Sequence, residues 1–167
     1  MVGNMPNAAQ FIAAAASLPF VVALLDAAQS DLRRFHIANR VPLLLLAGFV
    51  PVALVEGFSW QEWLTHAGTG FTLLAAGILL FALKLWGGGD AKMLGAVALW
   101  IGLSGLSRFL LVMAMAGCAL AVIALLIRRL PHRQAGWRGR LARTNQVPYG
   151  LAIAIAGFDW WISAAWQ

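Results

Sequence analysis

The chain is a succession of apolar runs separated by short polar or glycine-rich breaks, several of them near the roughly 20 residues that a helix needs to cross the hydrocarbon core of a bilayer. Nothing else narrows the possible folds so far, because backbone in lipid must satisfy its own hydrogen bonds. Composition agrees: the 167 residues are 62% hydrophobic and 11% charged, with mean hydropathy +0.81, well away from an average soluble domain. The expected fold is all-α, a polytopic membrane protein forming a six-transmembrane helix bundle, with residues 1–167 as a single membrane-embedded domain and no soluble domain. The expected spans run from about Ala8 to Ala28, Val41 to Gly57, Ala67 to Leu85, a shorter Ala91 to Leu103, Arg108 to Ile127, and Val147 to the C-terminus. Pro19 falls inside the first, Pro42 in the first turn of the second, and Pro51 marks a kink there. Glu56 to His66 reads as a loop carrying Trp60 and Trp63 at the membrane–water interface; Trp160, Trp161 and Trp166 form a terminal belt. Ser104-Gly105-Leu106-Ser107 reads as a tight reversal. No Lys or Arg precedes the first apolar run, so a cleavable signal is not expected.

Charge supplies the topology. A net charge of +6 and a pI near 11.1 would suit a nucleic-acid partner, but the basic residues follow the expected spans instead, so none is expected. One side of the bilayer collects Arg33, Arg34, Arg40, Lys84, Lys92 and the arginines 128, 129, 133, 138, 140 and 143, while the other holds only Arg108. Lys and Arg remain on the cytoplasmic side, which directs both termini outward. The Arg-rich segment Arg128 to Gln146 has this topogenic role, with contact to anionic headgroups as a second reading. The single cysteine, Cys118, lies in an apolar run; it supports neither a disulfide framework nor a zinc site and reads as a small packing residue.

Within this apolar background stands Gly87-Gly88-Gly89-Asp90-Ala91-Lys92. Three consecutive glycines carry a large entropic cost and suit a tight turn or a close backbone approach. Asp90 has two readings, a helix cap or one half of a carboxylate pair. The second carboxylate is Asp31: an outward crossing and a return separate the two, so both emerge on the cytoplasmic side, where a helix meets water. Of the other acids, Glu56 and Glu62 read as solvated loop residues and Asp159 as near the outer interface. Two adjacent carboxylates share one proton; the ionised member takes a proton from water while the protonated member donates to a scissile carbonyl. Competing chemistries are poorly supplied. His36, His66 and His132 are dispersed, no serine sits in a nucleophile elbow, and the glycine run lacks the spacing and the Lys-Ser/Thr of a phosphate loop. No metal is expected.

At this point the residues resemble a known family. Gly87-Gly88-Gly89-Asp90-Ala91-Lys92 is similar to the GxGD motif of intramembrane aspartic proteases. Asp31-Leu32-Arg33-Arg34-Phe35-His36-Ile37-Ala38-Asn39 resembles the first-aspartate segment of prepilin peptidases, which runs Asp, five residues, Ile-Pro-Asn. Val147-Pro148-Tyr149-Gly150 resembles the Pro-aromatic-Gly opening of their last helix. The chain looks most like the short form associated with Flp/Tad-type pili. Ala38 departs from the pattern by replacing the proline. Asp26 is a rival first aspartate but lies deeper and lacks the Ile-x-Asn spacing. The resemblance implies an aspartic endopeptidase of the bacterial inner membrane, with Asp31 and Asp90 catalytic and Gly87, Gly89, Lys92 and Asn39 shaping the site or binding substrate. Lys92 has a second reading as a topogenic charge. The implied substrates are the leaders of pilin and pseudopilin precursors, cut on the cytoplasmic side after a small residue, without a cofactor. Longer members carry a cytoplasmic domain with paired CxxC cysteines linked to N-methylation; one cysteine implies peptidase activity without methyltransferase. Other readings are a non-catalytic pilus or secretion component, a small transporter, or a GxGD protease with other membrane substrates.

Overall fold

The computed structural model describes residues 17–129 and 147–165, and among these the regular structure is entirely helical. The elements are α1 (Leu18–Arg34), α2 (Arg40–Val55), α3 (Trp60–Ala82), α4 (Gly88–Arg128) and α5 (Tyr149–Ala165). Two of them, Trp60–Ala82 and the apolar stretch Gly88–Ile127 of α4, are long and apolar enough to cross a membrane, and Arg40–Val55 is a shorter apolar helix. The outer surface is apolar to match, with Leu54, Phe71, Leu79, Leu111 and Met115 all exposed. A soluble monomer rarely leaves so much apolar surface uncovered.

The fourth element is two arms rather than one rod. Gly102, at φ 64° and ψ −174°, interrupts it in a region open essentially to glycine alone. The chain reverses there. Tyr149 lies against Trp86, ring centroids 5.3 Å apart, and its Cε1 also lies 3.5 Å from where a Cβ on Gly117 would stand. An unbroken helix would carry Gly117 about 40 Å beyond Asp90. Arg108 pairs with Asp159 while Gly117 meets Tyr149, so the second arm runs antiparallel to α5. The reversal expected at Ser104–Ser107 therefore lies at Gly102, and residues 104–107 are already helical. Breaking the helix releases the Leu99 carbonyl, and His66 Nδ1 bonds to it at 2.7 Å. A backbone carbonyl only accepts, so Nδ1 carries the proton.

The same kind of contact orients the other segments. Phe20 with Trp160, Leu24 with Gly157 and Asp31 with Gly150 run α1 against α5. Gly77 against Ala91 and Gly70 against Gly95 run α3 against the first arm of α4. Those small residues bring two backbones together without large side chains between them, the usual basis of helix association in lipid. The core includes an aromatic cluster: Trp100 lies between Phe20 (4.9 Å, tilted) and Phe49 (5.9 Å, edge-on) and donates its Nε1–H to the Leu45 carbonyl at 2.8 Å.

Several local expectations change. Residues 60–66 are helical, because Ser59 and Glu62 form a capping box that starts α3; Glu62 is thus a helix-starting residue rather than solvated loop. Trp63 packs on Phe49 at 5.6 Å while Trp60 is exposed. Pro19 stands at the opening of α1, and Pro51 is inside α2. Cys118 is exposed rather than packed, on the outward face of the second arm. The start of the first expected span, most of the Arg-rich segment and Trp166 lie outside the described residues.

Candidate active site

The end of the bundle where α1 finishes and α2, α4 and α5 begin gathers the polar residues singled out in the sequence. Asp31 is not in a loop: it occupies the last turn of α1, past the apolar part of that helix, and its carbonyl accepts the N–H of Phe35, whose left-handed φ of 50° ends the helix. Its side chain is buried, 4% exposed, and turns toward the first turn of α5. There Oδ2 accepts the Leu151 N–H at 3.1 Å, with a further bond from the Gly150 N–H. Both donors belong to the first turn of α5, where the helix start leaves N–H groups short of partners; the Leu151 N–H is shared with the Pro148 carbonyl at 3.2 Å.

Asp90 stands at the corresponding place on α4. The N-cap is Gly87, so Asp90 is the third helical residue and not the cap. It still closes the helix start, since its carboxylate accepts the N–H of Gly87. A Cβ on Gly87 would lie 2.9 Å from Asp90 Oδ2, which explains glycine at that position. Asp90 is close enough for its charge to act on Asp31. Burial first, and then repulsion from Asp90, push the Asp31 carboxyl up to about 7 against the opposing pull of the two N–H groups; near neutrality a substantial fraction of Asp31 holds its proton.

What joins these helix ends is Ile37, visible in the Ile-x-Asn pattern but not as a packing residue. It is buried, and a Cβ on Gly89 would stand 3.0 Å from its Cβ, while one on Gly150 would stand 2.5 Å from its Cδ1 and 2.9 Å from Asp31 Oδ2. Gly89 and Gly150 are thus the two flat surfaces between which Ile37 wedges. Gly89 serves this close approach, and Gly88 faces the Phe81 ring. Asn39 and Lys92 also meet, Lys92 Nζ donating to Asn39 Oδ1 at 3.0 Å, and so tie the start of α2 to the first turn of α4. All six residues named from the sequence (Asp31, Asp90, Gly87, Gly89, Lys92, Asn39) lie at this end of the bundle.

Asp26 is engaged elsewhere. Arg40 holds it with two bonds of 2.7 Å, Nε to Oδ2 and Nη2 to Oδ1. This pair clamps the α1–α2 connection that carries Ile37 and Asn39, and no spacing rule in the sequence announces it. Gly150 was visible in the Pro-Tyr-Gly pattern, but its role against Asp31 was not. Among the described residues no group of His, Cys, Asp and Glu could hold a metal ion.

A sequence model of the type IV leader peptidase family matches residues 18–125, a stretch that includes both aspartates. The chain is 29% identical over 128 residues to a prepilin leader peptidase/N-methyltransferase of Burkholderia pseudomallei, covering 66% of this chain and 38% of that protein. It is 29% identical over 143 residues to a protein of the same description from Aeromonas hydrophila, covering 81% and 44%. The chain therefore spans less than half the length of these curated relatives. No solved structure matches it significantly.

Proposed function

This chain belongs to the type IV leader peptidase family, and on that premise we propose that it is a membrane aspartic endopeptidase acting on prepilins and pseudopilins, of the Flp/Tad kind. In this reading the six helical segments, counting the two arms of α4, all cross the membrane. Both termini face outward and the site faces the cytoplasm, where a basic leader is within reach. The peptidase activity is what we carry over from the relatives; the methyltransferase half of their description is not carried to this chain.

The chemistry assigned to the pair follows from the two environments. Asp31, the more buried, keeps the shared proton. Burial raises the Asp90 carboxyl too, to about 6, against the pull of the Gly87 N–H at the positive end of α4; as the lower of the two it is the ionised member. A water between them loses a proton to Asp90 as its oxygen attacks the scissile carbonyl carbon, and Asp31 donates its proton to the carbonyl oxygen. On collapse of the tetrahedral intermediate, Asp31 recovers a proton from the hydroxyl, Asp90 protonates the leaving amine, and the pair returns to its starting state.

The observation that carries this reading is a buried Asp31 under the influence of Asp90, at the meeting point of three stretches far apart in sequence. The rival reading, a non-catalytic assembly component, treats both acids as helix-end residues. Cleavage of a co-expressed pilin precursor separates the two. Asp31→Asn and Asp90→Asn are expected to reduce processing at least ~100-fold, a typical magnitude for loss of an acid–base group, at unchanged membrane levels. Asp26→Asn is expected to stay active. Normal processing by either of the first two variants sinks the dyad and leaves the non-catalytic reading ahead.

A further inference from the structure

A groove of about 520 Å³ opens on the outer surface between α2, α3 and the first arm of α4, bordering the candidate active site, with which it shares Asn39 and Lys92. Leu46, Phe71, Leu74 and Leu99 wall it, and Gly70 and Gly95 form part of its floor. These two glycines let α3 and α4 approach closely, since a Cβ on either would meet the facing helix. The walls are almost wholly apolar, yet the end toward the polar face of the bundle is closed by Asn39 and Lys92.

That end is specific in its chemistry. Lys92 is only a donor, so Asn39 turns its carbonyl oxygen to Nζ and presents its amide NH₂ away from the lysine. Among the described residues no carboxylate pairs with Lys92; Asp90, two residues earlier, points to another side of the helix. The mouth therefore offers a cation and an amide donor with no acidic partner, at the head of an apolar channel. From Lys92 to Leu99 the channel follows seven residues of α4, about 10 Å of helix.

We propose that this groove binds one anionic phospholipid, its phosphate at Lys92 and Asn39 and one acyl chain along the apolar walls. A positive charge at the interface attracts anionic headgroups, while the walls select a chain over a free anion. The site goes beyond the peptidase reading and does not rest on it.

The test is native mass spectrometry of the purified full chain in detergent micelles doped with dioleoylphosphatidylglycerol or dioleoylphosphatidylcholine. Wild type is expected to retain one phosphatidylglycerol about fivefold better than phosphatidylcholine, the ratio that one lysine at an anionic surface supplies. Lys92→Gln is expected to abolish that preference with unchanged helical circular dichroism. Ala67→Phe fills the groove from an exposed position of α3 and is expected to lower retention of both lipids. Inorganic phosphate is expected not to displace the lipid, and Asp90→Asn to bind as wild type does. Equal retention of the two lipids by wild type, an undiminished preference in Lys92→Gln, or displacement by phosphate alone overturns the proposal. So does photocrosslinking from position 67 to the apolar segment of a pilin precursor without any phosphatidylglycerol preference, which assigns the groove to substrate.

Discussion

Asp31 shows at the scale of one residue how a buried acid couples stability to pH. Its carboxyl moves from an ordinary 3.8 to about 7 on folding, chiefly through burial. Below about pH 4 it is protonated in both states and costs nothing. As pH rises the unfolded chain ionises first, the folded state loses ground, and the penalty is complete above about pH 7. Asn at this position removes the ionisation and still accepts the Leu151 N–H. Asp31→Asn is therefore expected to unfold at a higher temperature than wild type at pH 8 in detergent, with the gap closing toward pH 4, while losing activity. A gap that widens on acidification contradicts the assignment. Gly150 supplies a second prediction. A methyl there meets both Ile37 and Asp31, so Gly150→Ala is expected to cut prepilin processing at least ~10-fold, a cost of about 1.4 kcal/mol or more in the barrier. Combining it with Ile37→Ala relieves one of the two contacts, and partial recovery of processing is the outcome expected.

Helix ends decide matters at the scale of elements. The ends of α2 and α3 use the same device: the Phe58 N–H bonds the Ala53 carbonyl as the Leu85 N–H bonds that of Leu80, and the Gly57 and Lys84 N–H groups bond Leu54 and Phe81. Both are Schellman turns with a left-handed residue after the cap, but one has Gly57 at φ 70° and the other Lys84 at φ 59°. A lysine pays a steric penalty there that glycine avoids, so Lys84→Gly is expected to raise stability by up to ~1 kcal/mol, read as a shifted thermal midpoint. Gly102 is the opposite case. Its backbone angles exclude a side chain, and a Cβ would stand 2.7 Å from the His66 ring. Gly102→Ala is expected to destabilise by roughly 1–3 kcal/mol, detected by the same melt.

Successive helical segments run antiparallel while α2 and the first arm of α4, which start at the same end, run parallel, and among the described residues two bidentate ion pairs stand at opposite ends of the bundle. Asp26–Arg40 ties α1 to α2 near the candidate site, and Arg108–Asp159 ties the second arm of α4 to α5 at the far end. Arg108, which the charge distribution left alone on its side, is thereby neutralised. The proposed topology is tested by cysteine accessibility in a Cys118→Ser background. Glu56→Cys is expected to react with a membrane-impermeant maleimide in cells whose outer envelope is permeabilised, and Arg33→Cys only after the inner membrane is broken. The reverse pattern inverts the topology.

The sequence by itself determined that the chain is helical and strongly apolar, roughly where its helices lie, and which three stretches carry the candidate-site residues. These are local or compositional properties: hydropathy follows from side-chain transfer, and turns follow from glycine and proline. Boundaries that depend on capping were legible in principle, since Ser59-x-x-Glu62 is a capping box, whereas the reversal at Gly102 rather than at Ser104–Ser107 depends on where the His66 ring and the Leu99 carbonyl meet. Only the tertiary structure decided that Ile37 wedges between Gly89 and Gly150, that Asp31 ends on the first turn of a helix 120 residues away, and that Arg40 occupies Asp26. Each of these joins residues with no shared local pattern. Their proximity is set by how closely small side chains let helices pack, a property of pairs of surfaces that no single stretch of sequence contains.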